Sequence, residues 1–276
     1  MSHKIIQQRM VKVNDRSYRK KVVVTGGGMG IGAGCVKGYL RAGADVVFCD
    51  INDENGKKIE AEANAQENVK GKATYFHCNI ANKAEVDELF AKAEEILGGL
   101  DVLCHAAAAS VATSAEDADE KGIDFVFAVN FKGTVFVDQA AYKLFKKYGT
   151  EGSIINFASD TGVIGSAGDS VYASSKGAIL TWTRTIAVEW GIESNVRCNC
   201  FNPIVKTEGY AIWLETTDPA VVKQHLDTLK TEFPIDGALG EVDRDILPTI
   251  LFLSSEDSRY ITGQTICVNG GRVMVR

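Results

Sequence analysis

The 276-residue chain has no run of about 18 consecutive apolar residues, so no transmembrane helix is expected. Proline is scarce, at four, and three of these (Pro203, Pro219, Pro234) fall in one region. Cysteine pairing motifs are missing: the seven cysteines are odd in number and form no CxxC. Cys49, Cys78, Cys104 and Cys267 lie in or beside apolar runs, which reads as free buried thiols. The four histidines (His3, His77, His105, His225) lack metal-ligand spacing, so no metal is expected. Positive charge is not in excess: the net charge of −6 argues against a nucleic-acid partner. No secretory apolar core is visible either, and a cytoplasmic location is expected.

What is present is ordinary for a globular protein, with 45% apolar and 24% charged residues. The length suffices for one large α/β domain with a full core. Residues 1–20 stand apart, since Lys4, Arg9, Lys12, Arg16, Arg19 and Lys20 are set against a single acid, Asp15. An amphipathic targeting peptide and a basic tail lying over the domain or a partner subunit are both open; few serines and no clear cleavage site favour the tail.

From residue 21 onward, short β-branched runs alternate with helical stretches. Strands are expected at 21–25, 45–50, 73–79, 100–105, 153–157, 196–201 and 265–268. Helices are expected from the glycine turn to about Ala42, over 53–66, 84–97, 122–148 and 170–190. This alternation predicts a single domain, 21–276, of the α/β class: a doubly wound parallel β-sheet, or Rossmann fold. Positions 203–236 show no strand pattern and are expected to form a helical flap beside the active site.

Between the first strand and first helix lies TGGGMGIG, Thr25 to Gly32. Glycine there lets backbone approach phosphate closely, and the helix N-terminus supplies free N–H groups and partial positive charge. A lone glycine cluster is a weak signal. This one follows a strand, opens a helix and has Asp50 eighteen positions past Gly32, which is the context of a dinucleotide site. Asp50 is placed to accept from ribose hydroxyls and to repel a 2′-phosphate, and Ile51 and Asn52 after it are not basic. NAD is therefore expected over NADP.

Tyr172 and Lys176 stand one helical turn apart in VYASSK. A phenol of pKa near 10 is a poor base at neutral pH. A neighbouring ammonium favours the phenolate, and spacing of i, i+4 puts Lys176 on the same helix face. A shift of about three units needs roughly 4 kcal/mol of differential interaction. Tyr172 then serves as general base for alcohol oxidation or general acid for ketone reduction. Ser159 lies thirteen residues before it, and a hydroxyl of this kind can hydrogen-bond a reacting oxygen. Taken singly, the tyrosine would be a packed helix residue, the lysine a solvated charge and the serine a turn former.

TGGGMGIG, Asp50, Asn130, Ser159, Tyr172, Lys176, then Asn199, Pro203, Thr207 and ITGQTICVNGG, occur in one order over residues 21–271. In this the chain resembles the short-chain dehydrogenase/reductase superfamily, in its NAD-preferring branch. The resemblance implies that Lys176 also holds the nicotinamide ribose and that Asn130 anchors a water in a proton relay. It implies cofactor contacts from Gly26, Gly28, Met29, Gly30, Ile31, Gly32, Asp50, Asn79, Ile80, Ala106, Ala107, Tyr172, Lys176, Pro203, Val205 and Thr207. It also implies a homotetramer packed through the long helices that carry Asn130 and Tyr172.

The chain departs from the family pattern at three places. His105-Ala106-Ala107-Ala108 replaces Asn-Asn-Ala-Gly, Asn79 replaces an aspartate, and Asn202-Pro203 replaces Pro-Gly. His105 reads either as a substitute hydrogen-bonder or as a packed neutral histidine. In the flap, Ile204, Val205, Tyr210, Ile212, Trp213 and Leu214 would favour a bulky ring alcohol such as a hydroxysteroid, or would merely pack the flap. Thr207, Glu208 and Asp160 would suit a polyol or sugar instead. An epimerase or dehydratase with tightly held NAD would need a larger C-terminal domain. A non-catalytic NAD(H) sensor would not need both Tyr172 and Lys176.

Overall fold

The computed structural model describes residues 20–274; the basic segment singled out above lies almost wholly outside them. Seven strands are β1 (Lys21–Thr25), β2 (Asp45–Asp50), β3 (Ala73–His77), β4 (Val102–His105), β5 (Ser153–Phe157), β6 (Arg197–Pro203) and β7 (Thr265–Val268). They form one sheet in the order β3-β2-β1-β4-β5-β6-β7, and every pairing is parallel. The order reverses between β1 and β4, which opens a crevice at their carboxyl ends.

Alternation along each strand feeds two separate cores. Val23, Val47, Leu103 and Ile154 face one side and pack on α3 (Lys83–Leu97), α5 (Gly133–Tyr148) and α7 (Ser170–Ser194). Val22, Val24, Val46, Phe48, Val102 and Ile155 face the other. They pack on α1 (Gly30–Arg41), α2 (Asp53–Asn64) and α10 (Leu247–Leu253). Burial on both faces is why these strands read as unbroken apolar runs. The remaining helices are α4 (Glu120–Phe127), α6 (Thr161–Ile164), α8 (Glu208–Thr216) and α9 (Pro219–Glu232), with the last two forming the segment after β6. No described helix is long and apolar enough to cross a membrane. Six cysteines are buried free thiols, and Cys267 is partly exposed.

The structure corrects two boundaries. The helix expected over 122–148 is broken by a π turn at Ala128–Lys132, between α4 and α5. There the Thr134 hydroxyl donates to the Asn130 carbonyl, while the Asn130 side chain is bonded outside its own helix. β3 stops at His77 rather than residue 79, because the Asn79 carbonyl and side-chain oxygen accept from Asn82 and Ala81 and start a turn.

One buried acid sets a pH dependence of stability. Asp138 on α5 is 0% exposed. It accepts from Asn156 Nδ2 at 2.9 Å and Trp182 Nε1 at 2.8 Å, while its other oxygen has no partner. Burial raises its pKa from 3.8 to about 7. The folded chain thus keeps a proton that the unfolded chain releases. The contribution is full below pH ~4 and is lost as pH rises through 7. Asp138→Asn is expected to flatten the fall in Tm between pH 5 and pH 8 and to gain about 1–2 kcal/mol at pH 8, where the neutral amide carries no buried charge. Thermal melts of both proteins across that range check this.

Candidate active site

The turn after β1 is built so that only glycine fits. Gly26 sits at φ 66° and Gly30 at φ 54°, conformations that side chains disfavour. A Cβ on Gly32 would lie 2.0 Å from the Gly26 carbonyl oxygen, and one on Gly26 would lie 2.7 Å from Ala107 Cα. The turn is therefore folded down onto α1 and onto the Ala106–Ala107 loop, leaving a shallow cradle above. Asn52, Asn82 and Asp119 each cap their helices with a side chain. Met29, at the start of α1, makes no such bond and is 55% exposed. The first amides of α1, from Gly30 and Ile31 onward, are thus left without a side-chain cap, as an anion site requires. Glycine cradle and uncapped helix together fit a pyrophosphate.

Asp50 ends β2 beside this turn. Its carboxylate accepts from Gly28 N at 3.0 Å and Asn52 N at 3.0 Å, so it is fixed in place. A second acid stands close: Asp53 takes the Tyr75 hydroxyl at 2.7 Å, and that same hydroxyl reaches the Asp50 carbonyl at 3.1 Å. Asn79 is exposed and Ile80 is buried on the loop after β3. Across the crevice, Pro203 ends β6, Val205 is buried, and Thr207 caps α8 by accepting from Tyr210 N at 3.2 Å.

Ser159 follows β5 and Tyr172 lies in the first turn of α7. α6 joins them, and its Gly162 is so close that a Cβ would meet the Lys176 carbonyl carbon at 2.8 Å. Ser159 Oγ accepts from the Thr161 hydroxyl at 3.0 Å. Burial pushes the Tyr172 phenol above its usual pKa of 10, the Ser159 hydroxyl pulls it down, and Asp169 pushes it up again. Lys176 is 1% exposed and donates to the Phe157 carbonyl at 2.7 Å. Its ammonium stands 5.6 Å from the centre of the Tyr172 ring. Burial brings it down to about 8.

The two side chains share a face, but the end of β5 offers Lys176 a buried carbonyl. In this arrangement burial, not the lysine, dominates the Tyr172 hydroxyl.

Asn130 is 0% exposed and fully bonded. Its oxygen accepts from Ala109 N at 2.7 Å, and its amide donates to Ala109 O at 2.8 Å and Ser175 Oγ at 2.9 Å. Ser175 in turn donates to the Tyr172 carbonyl at 2.7 Å. The four residues expected to act together are thus gathered at the carboxyl ends of β4, β5 and β6, next to the glycine turn.

The family described as Enoyl-(Acyl carrier protein) reductase matches residues 26–272. A short-chain dehydrogenase/reductase of Armillaria gallica is 34% identical over 263 residues, which span 93% of this chain and 97% of that protein. The chain belongs to the short-chain dehydrogenase/reductase superfamily. A 7alpha-hydroxysteroid dehydrogenase of Bacteroides fragilis is 31% identical over 261 residues, covering 93% of this chain and 95% of its own. The solved structure of a short-chain type dehydrogenase/reductase from Mycobacterium ulcerans superposes with a TM-score of 0.84 at 26% identity, covering 92% of this chain and 90% of that one. As a member of this superfamily the protein is an oxidoreductase that uses a nicotinamide dinucleotide.

Among short-chain dehydrogenases/reductases this one has features that its sequence did not announce. Asp160, beside Ser159, is 3% exposed and takes Asn269 Nδ2 at 2.8 Å, while its second oxygen and both polar atoms of Asn202 lack well-formed partners. Tyr210 and Trp213 of the flap stack at 6.0 Å, and both pack against His225 of α9. Only pairing between distant segments reveals such contacts; no local spacing does.

Proposed function

We propose that the protein is an NAD-dependent dehydrogenase that moves a hydride between NAD(H) and a secondary alcohol or ketone, with a bulky cyclic alcohol such as a hydroxysteroid as the substrate class. The observation that carries this reading is the Tyr172-Lys176 pair on one face of α7, with Lys176 bonded to the end of β5 beside Ser159, together with the uncapped helix and glycine cradle. Bound NAD supplies the hydride acceptor and a positive ring. Ser159 bonds the substrate oxygen. Tyr172 holds the proton of that oxygen and gives or takes it. Lys176, turning from the Phe157 carbonyl, holds the ribose and lowers the phenol. With its amide fully engaged, Asn130 offers only its main-chain carbonyl to a relay water.

Asp50 and Asp53 support NAD over NADP, since a 2′-phosphate would meet two carboxylates there. The exposed apolar side chains Val163 and Ile164, at 37% and 64%, stand on α6 just past Ser159 and suit a ring substrate. The B. fragilis relative supports a hydroxysteroid. A polyol is less well served: Thr207 is committed as a helix cap and Asp160 is buried against Asn269. Exposed Ile123 and Phe125 on α4 and Val188 and Ile192 on α7 support assembly through these helices as a homotetramer. Light scattering of the purified chain is expected to give four times the monomer mass.

The test is reduced-nicotinamide formation with NAD or NADP across hydroxysteroids, alicyclic alcohols, polyols and short aliphatic alcohols. Turnover with NAD on hydroxysteroids or alicyclic alcohols is expected. NADP preference would overturn the role of Asp50, and turnover confined to polyols would overturn the substrate class.

A further inference from the structure

His105 ends β4 where the family pattern has asparagine, and it is 2% exposed. Its Nδ1 lies 2.6 Å from Thr25 Oγ1, and its Nε2 lies 2.9 Å from Thr134 Oγ1. Thr25 and Thr134 are both 0% exposed, so water does not compete for these bonds.

The direction of every proton follows from the neighbours. The Thr134 hydroxyl donates to the Asn130 carbonyl, which can only accept. Its single proton is thereby used, so Thr134 must accept from His105, and Nε2 carries the hydrogen. Nδ1 is then the acceptor, and Thr25 donates to it. Thr25 Oγ1 in turn accepts from Ala107 N at 3.3 Å. A second proton on the ring would set Nδ1–H against the Thr25 hydroxyl proton and break this order. Burial, reinforced by the Lys176 charge, opposes that proton too, and holds the imidazole down to about 3.

The chain of bonds has two ends. One is the Ala106–Ala107 loop, which floors the cradle against Gly26. The other runs from Thr134 into the π turn and through Asn130 and Ser175 to the Tyr172 carbonyl. It crosses β1, β4, the π turn and α7, and every residue between its ends is buried.

We infer that His105, as its Nε2–H tautomer, is a positioning residue that ties the cofactor floor to the helix turn carrying Tyr172. The kinetic part of this rests on the dehydrogenase reading above; the protonation part does not. An asparagine here could match the reach of Nδ1 to Thr25 but not that of Nε2 to Thr134, because both its polar atoms sit at the δ position and Nε2 lies one bond further from the backbone. The threonine pair and the histidine therefore act as one set.

The test has two arms on the full chain. Nitrogen-15 NMR of the cofactor-free protein is expected to show His105 with Nε2 protonated and Nδ1 bare, unchanged from pH 8 to pH 5.5. An Nδ1–H tautomer, or a titration near the ordinary histidine value of about 6.5, overturns the inference whether or not any alcohol is turned over. In the second arm, Thr134→Val cuts only the Tyr172 end and is expected to lower kcat about tenfold with NADH affinity held within about twofold. Thr25→Val cuts the floor end and is expected to weaken NADH binding about three- to tenfold. His105→Ala should do both, and His105→Gln, with one donor and one acceptor at similar reach, should recover most of each. If Thr134→Val lowers Tm but leaves kcat and its pH profile unmoved, or if Gln is no better than Ala, the histidine merely packs. A panel without turnover would fail the dehydrogenase reading alone, while NMR and NADH binding still decide the role of His105.

Discussion

Tyr172→Phe is expected to lower kcat by about 10²–10⁴-fold while NADH binds as before, because it removes one hydroxyl from the reacting centre and nothing from the cradle. The phenol has its pKa raised, first by burial. It is therefore fully protonated at neutral pH, the state needed to donate to a ketone oxygen. Oxidation needs the phenolate, so wild-type alcohol oxidation should rise toward alkaline pH. That rise should vanish in Tyr172→Phe along with the rate. Lys176 gives the profile a second edge: with burial holding its pKa down to about 8, the cation that helps the phenolate is itself lost on the alkaline side. A retained rate in Tyr172→Phe, measured with saturating NAD and the best alcohol of the panel, would remove the general-base assignment. Fluorescence titration with NADH separates that outcome from a damaged cofactor site.

The second large effect is at the cradle. Gly32→Ala would put a methyl 2.0 Å from the Gly26 carbonyl oxygen and 2.7 Å from its carbon. Both atoms are backbone, so no side-chain rotation relieves the contact. Either the turn lifts off α1 or the helix start shifts, and in both cases the amides no longer converge on one point. NADH affinity is expected to fall by at least about 100-fold, equivalent to about 2.7 kcal/mol. Tm should fall by several degrees as well. Gly34→Ala is the control, since the atom it would meet first, at 2.3 Å, is a Val242 methyl carbon that can turn aside. Loss of NADH binding in both variants alike would mean that the helix, not the turn, was damaged.

The glycine turn and the Tyr172-Lys176 pair were legible in the chain because each depends on local spacing, whereas Asp50 and Ser159 were legible through their order in a family pattern. The strands were legible too: a parallel strand covered on both faces needs apolar side chains at every position, and KVVVT and DVVFCD show this plainly. The π turn at 128–132 was not, since one added residue in a helix leaves the apolar rhythm on either side nearly intact. What fixes it is the Asn130 amide bonding to Ala109 and Ser175, partners 21 and 45 residues away. The Lys176 bond to Phe157 likewise depends on a main-chain carbonyl that no side-chain pattern reports. The segment from Val242 to Ser258, with α10 and two short turns, carries too little periodicity to declare itself beforehand. His105 was visible as an oddity, but its role needed Thr25 and Thr134 to be brought to either side of it.

The strand order has a consequence for how the chain reaches this state. β1 lies between β2 and β4, and Val22 pairs with Val102, so the centre of the sheet cannot close until the first hundred or so residues are present. Until β5 arrives, the far edge of β4 offers unpaired amides and carbonyls, flanked by Val102, Leu103 and Cys104. Long-range parallel pairing of this kind is slow, and an open apolar edge invites other chains. Growth from the ribosome, which presents β1 to β4 in order before β5 competes, should give a higher yield of native protein than dilution of the whole chain from denaturant.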